Sequence, residues 1–134
     1  MPAESLAPIL WVGNVSDAIA WYQRLGFRLE WEHSAGPDFS QTVAVLKREA
    51  IHLILSNRHE DGRPGSVVII GVSDVEAIAT EFNVESKPWF FGSQVELHDP
   101  GGNRVLVGPH LRTDGTASPK TRKRKAAKSS RIGR

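Results

Sequence analysis

Two stretches of this chain repeat one pattern sixty residues apart. Val12, Asn14, Val15 and Tyr22 match Val72, Asp74, Val75 and Phe82 in order, spacing and chemical type. Self-similarity of this kind means one supersecondary unit used twice. In the first copy, ILWVGNVSDAIAWYQRLGF (9–27), an apolar run of strand length is broken by Gly13-Asn14. Ser16 then stands where a helix N-cap belongs, since its hydroxyl can accept from a first-turn amide. Val15, Ala18, Ile19, Tyr22 and Leu25 form one apolar stripe at helical spacing. Gly26 ends the helix, because a residue at positive φ commonly does so. In the second copy Val67 to Ile70 is the apolar run, and Ser73 and Glu76 have capping-box spacing. Val75, Ile78 and Phe82 make its stripe, and this helix is expected to be about a turn shorter. A helix with one apolar stripe must cover a sheet.

The rest of the chain falls into place around these units. Strand one is expected over about 7–13, helix one over 16–25 and strand two from Phe27 to His33. Strand two alternates, with Phe27, Leu29 and Trp31 on one face and Arg28, Glu30 and Glu32 on the other. SAGPDFS (34–40) reads as a loop carrying one aromatic, Phe39. Strands follow over about 41–47 and 50–56, the latter with Ile51, Leu53 and Leu55 opposite His52, Ile54 and Ser56. NRHEDGRPG (57–65) is a polar linker. The second half should give strands over 66–72, 84–87, 93–98 and 104–108 and a helix over 74–82. Trp89 to Gly92 is expected to be an aromatic loop and Asp99 to Asn103 a turn. The fold class is therefore α+β, two βαβββ modules (about 6–57 and 66–109) forming a concave mixed sheet within one domain, 1–110. Apolar clefts with a few polar groups are the usual small-molecule sites.

Charge is divided sharply along the chain. Residues 1–110 hold eight Lys/Arg against fourteen Asp/Glu, net −6, and residues 111–134 hold nine against one, net +8. The basic tail has almost no large apolar residues, so it is expected to stay disordered. It reads first as a solubilising segment, and second as a nucleic-acid contact. The absence of cysteine excludes disulfides and thiolate metal sites. No long apolar run suggests a membrane span, and a cytoplasmic protein is the default expectation.

The segments VGNVSDAIAWYQRLGF and HDPGGNRVLV resemble the two signature regions of the vicinal oxygen chelate superfamily, over roughly Leu6 to Pro109. That superfamily includes glyoxalase I, extradiol dioxygenases and fosfomycin- and bleomycin-resistance proteins, and the resemblance implies paired βαβββ modules and commonly a homodimer. Its metal enzymes take His, Gln or Glu ligands from four inward positions. Carried onto this chain, those positions are Ala7, His52, Val67 and Leu106. Three aliphatic residues cannot coordinate a divalent ion, and one His cannot build a site. Keeping the fold without the ligands resembles the bleomycin-resistance branch, which implies a cofactor-free, metal-free, non-enzymatic protein that sequesters a bulky cationic aromatic antibiotic.

The residues agree with that expectation in three ways. An acidic body attracts a cationic guest. Aromatic residues stand where loops border the expected cleft, and such rings stack planar groups and cations. No nucleophile–base pair is apparent, so no catalytic residue is named. Trp31, Phe39, His52, Trp89 and Phe91 are the candidate ligand-binding residues, whereas Trp11, Trp21 and Phe27 are expected to pack in the core or an interface. Two alternatives remain: a metal-dependent glyoxalase-type lyase or dioxygenase, and a regulatory module using the tail on nucleic acid.

Overall fold

The structure, a computed structural model, describes residues 4–89 and 92–110. The expected basic tail and Phe91 lie outside the described residues. The first repeat folds as β1 (Ile9–Trp11), α1 (Val15–Arg24), β2 (Arg28–Ala35), β3 (Gln41–Arg48) and β4 (Ile51–Ser56). The second folds as β5 (Val67–Gly71), α2 (Val75–Phe82), β6 (Lys87–Trp89), β7 (Gly92–His98) and β8 (Arg104–Gly108). Two four-stranded sheets result, in the orders β1-β4-β3-β2 and β5-β8-β7-β6. The topology is the same in both, as the repeat demands. β1 runs parallel to β4, and β3 lies antiparallel to both its neighbours.

The helices start differently from the expectation. Asn14, not Ser16, caps α1: its backbone is extended and its side chain accepts from the Asp17 amide at 3.0 Å. Asp74, not Ser73, caps α2 by accepting from the Ala77 amide at 3.0 Å. The repeat itself aligned Asn14 with Asp74, and both short side chains reach the third helical amide from the cap. Gly26 does take the positive φ expected of it, 94°, and Arg48 donates to the Leu25 carbonyl at 2.8 Å, satisfying the end of α1. α2 is two residues shorter than α1, and Asn83 in the left-handed region ends it.

In sheet one the register sorts the residues onto two faces. Leu10, Ala44, Leu46, Leu53 and Leu55 are buried on the face that α1 covers with Val15, Ala18, Ile19 and Tyr22. The expected alternation of β2 fails at Glu30. Leu29 pairs with Leu46 but Trp31 pairs with Val45, so one extra residue lies between them. Such a bulge turns the side chains that follow it to the other face. Trp31 therefore joins Val45 on the face away from α1, while Leu29 stays on the helix side.

The described chain divides into two compact units: residues up to Val68 with His98–Arg104, and Ile69–Leu97 with the chain from Val105. The boundary does not follow the repeat, because the DPGGN turn belongs to the first unit. Asp99, almost wholly buried, is the reason. Its carboxylate accepts from the Tyr22 hydroxyl at 2.7 Å, from the Gly101 and Asn103 amides at 2.8 and 2.9 Å, and from Asn103 Nδ2 at 2.9 Å. Asn103, fully buried, also donates to the Trp11 carbonyl at 2.9 Å and accepts from the Ser66 amide at 3.1 Å. Gly101 presses against β1's end so closely that a Cβ there would lie 2.7 Å from Val12 Cγ1.

Two outcomes follow from this network. Asp99→Ala leaves a buried hydroxyl, two amides and a carboxamide short of an acceptor, at roughly 1–3 kcal/mol for each group that stays unpaired. Chemical denaturation should show a loss of about 3 kcal/mol or more. The second concerns alkali. Burial first, then the hydrogen bond to Asp99 and that group's charge, hold the Tyr22 phenol far above its ordinary 10.0. A raised folded-state value means the contribution is complete below about pH 10 and falls as pH rises, because the unfolded chain ionises first. Tyr22 is the sole tyrosine, so tyrosinate absorbance should appear only with unfolding, and Tyr22→Phe should flatten the loss of stability above pH ~10.

Candidate functional site

The face of sheet one turned away from α1 carries two of the five candidate residues, Trp31 and His52. Cross-strand pairing places Ile9, Ile54, Val45 and Trp31 on one line across the four strands. The line beside it holds Trp11, Ser56, Val43 and His33, and on the other side lie His52, Lys47 and Arg28. Trp31 is 54% exposed and Ile9 44%, in contrast to the buried leucines behind them. The Trp31 ring stacks on His33 with centroids 5.8 Å apart and planes 13° from parallel, as two same-face residues on one strand permit. Trp11 is half-buried and stacks on His59 of the 57–65 linker at 6.4 Å, which agrees with a packing role. Phe27 is in the core.

Phe39 projects from a short helical turn, Pro37–Phe39, and is 75% exposed. Asn57 holds the base of that turn, donating to the Ser40 carbonyl at 2.9 Å and accepting from the Thr42 amide at 2.8 Å. Phe39 has φ 54°, a strained conformation for an aromatic residue, at roughly 1 kcal/mol or more. Trp31 lies four steps along β2, about 13 Å, from Ala35 at the end of the strand that leads to the turn carrying Phe39.

His52 is half-buried beside Lys47. Next to them, Arg28 Nε donates to Glu30 at 2.9 Å. That hydrogen bond, with the charges of Arg28, Lys47 and His52, holds the Glu30 carboxyl below its usual range. Trp89 is not in a loop: it ends β6, pairs with Gly92 and is half-buried. The backbone at Gly108 approaches it, with a Cβ there 4.0 Å from Trp89 Cε3. The strand expected over 84–87 is found instead at Lys87–Trp89, sharing only residue 87, because these are the residues that pair with β7. An open groove of about 480 Å³ lies along the end of α2 and the 83–86 segment, and no candidate residue lines it.

A family model described as a glyoxalase superfamily protein matches residues 2–112. The chain belongs to the glyoxalase superfamily. A search of curated proteins found no match. Among solved structures, a bleomycin resistance determinant encoded on the transposon Tn5 is similar at 17% identity, with a TM-score of 0.63 over 81% of this chain and 100% of that one. A bleomycin-binding protein from Streptomyces verticillus, complexed with copper(II)-bleomycin, is 19% identical with a TM-score of 0.59, covering 83% of this chain and 99% of its own. The trypanothione-dependent glyoxalase I of Leishmania major is 19% identical with a TM-score of 0.58 over 96% and 95%. These likenesses carry the fold, paired βαβββ modules, and they include binding proteins and an enzyme alike. Among the described residues no helix is long and apolar enough to cross a membrane.

The residues do not fit the divalent metal that the superfamily's enzymes use. Among the described residues no three His, Cys, Asp or Glu cluster in a way that could hold an ion. His52 has the cation Lys47 as its cross-strand neighbour, and Ala7, Val67 and Leu106, the other positions that the family resemblance implies, have no side-chain donor atom. Elemental analysis of the purified protein should find well below one Zn, Fe, Mn or Ni per chain. A stoichiometric, tightly held metal would overturn that donor-set argument.

Proposed function

We propose that this protein is a non-enzymatic binding protein that captures a small aromatic molecule on the exposed face of sheet one, with a bleomycin-type antibiotic as the first specific ligand. One observation carries the proposal: a bulge turns Trp31 out of the helix-facing layer and leaves its ring exposed, stacked on His33 and in line across the sheet with Val45, Ile54 and Ile9. A large apolar surface kept open beside an aromatic ring is typical of recognition sites. The bleomycin complexes among the fold relatives support testing that antibiotic first. Phe39 is the second candidate contact, presented by a pinned turn. Trp89 supports β6–β7 packing in this reading rather than a guest.

The protein is further proposed to be a homodimer. Leu6, Val67 and Ile69 are exposed aliphatics close to the strands β1 and β5, and symmetric pairing is the commonest way to cover such surface. Light scattering should give twice the chain mass at micromolar concentration.

Stacking on an aromatic side chain contributes roughly 1–3 kcal/mol. Trp31→Ala should therefore weaken bleomycin binding about tenfold or more, with little loss of stability, because the ring is more than half exposed. Calorimetric titration of the parent and variant checks this. Equal affinity, or no binding by the parent, would remove the antibiotic from the proposal.

A further inference from the structure

The apolar face ends in charge of the opposite sign to the body as a whole. Residues 1–110 carry a net −6. Yet the line beside Trp31 is His52, Lys47 and Arg28. Arg28 is already engaged by Glu30 at 2.9 Å. Among the described residues, Lys47 and His52 have no ion-pair or hydrogen-bond partner for their side chains. They are direct cross-strand neighbours on β3 and β4, which sets their Cβ atoms roughly 5 Å apart on the same face. Both are half-buried, so neither charge nor ring is fully given over to water.

An ammonium and an imidazole on paired positions of one face put two donor-bearing side chains at the rim of an apolar surface. The excess is local: Arg28, Lys47 and Glu30 sum to one positive charge, with the Glu30 carboxylate hydrogen-bonded to Arg28 and within electrostatic reach of Lys47 and His52 as well, and His52 adds a second donor. The acidic body acts at long range, and salt screens such fields beyond about 8 Å. The groups in contact with a guest decide its polarity instead.

We propose that Lys47 and His52 form an anion subsite, and that the guest is an aromatic acid whose carboxylate lies between them while its ring covers Trp31, Val45 and Ile54. Two strand residues separate the Lys47 line from the Val45 line, about 7 Å, so the acid group stands a short alkyl chain away from the ring. This rests on the face being the binding surface and adds the chemical class of what it takes. The acid departs from the cationic antibiotic taken above as the first ligand to test, because the line beside Trp31 holds Lys47, Arg28 and His52.

The test uses the full chain and three probes of one shape: phenylbutyrate, its neutral amide phenylbutyramide, and the cation phenylbutylamine. Tryptophan fluorescence and calorimetry give the affinities. A charge-assisted hydrogen bond contributes enough to favour the acid by about tenfold or more over both other probes. Lys47→Gln should remove most of that preference, and His52→Asn part of it. Trp31→Ala should weaken all three probes and leave the preference intact. Circular dichroism of each variant shows whether it is folded. The inference is overturned if the amide or the amine binds as tightly as the acid, if Lys47→Gln keeps the preference in a folded protein, or if none of the probes binds at millimolar concentration. Bleomycin titration in parallel separates the two ideas. Binding of bleomycin without any acid preference sinks the anion subsite and leaves the binding face standing.

Discussion

The buried Asp99 carboxylate is the constraint around which the first compact unit is arranged. Burying an ionisable group is expensive unless its lone pairs are satisfied. Here four donors converge on it from α1, from the turn's own backbone and from Asn103. Asn103 then carries the network on to the end of β1 and to Ser66. A half-satisfied version would cost more than an apolar one, so all members have to be present together. The same turn brings Gly101 to van der Waals limits against Val12. That contact excludes any side chain at 101, and it explains why the turn contains glycine at that position.

With α1 held in this way, the helix-facing layer of sheet one is closed, while the other layer leaves Trp31 and Ile9 exposed at its two edge strands. The distinction depends on register. Leu46, Leu53 and Leu55 point to α1, so their neighbours Val45 and Ile54 must point away. The bulge at Glu30 then decides which layer receives Trp31. Without it, Trp31 would share the layer of Leu29, behind the helix. The proposed binding surface thus exists because one strand is a residue longer than its partner. The Arg28–Glu30 pair sits at that irregularity, and bulges often re-aim a side chain beside a functional surface.

Much of the fold was legible in the chain, and for a stated reason. Helical stripes and strand alternation are local periodicities, and the repeat doubled the signal for each element. It also tied Asn14 to Asp74, although Ser16 and Ser73 were the residues expected to cap. Caps depend on where the backbone leaves the extended region, and several polar residues in a row offer equally good side chains. Asn14 is extended at ψ 105°, and that starts the first turn two residues earlier than a cap at Ser16 would. The end of β6 was misplaced for a similar reason: Lys87, Pro88 and Trp89 have no alternation of their own, and pairing with β7 makes them a strand.

By itself, the sequence determined two βαβββ units and the core stripe of each helix, and it put aliphatic residues at Ala7, Val67 and Leu106, three of the four ligand positions that the family resemblance implies. Those are properties of residue type and spacing. Only the tertiary structure decided that Asp99 belongs with Tyr22, that Trp31 lies on the open face, and that Lys47 stands beside His52. Each of those depends on which strand pairs with which, and in what register. A one-residue shift in register reverses every side chain beyond it, and nothing in the local pattern of β2 announces the extra residue.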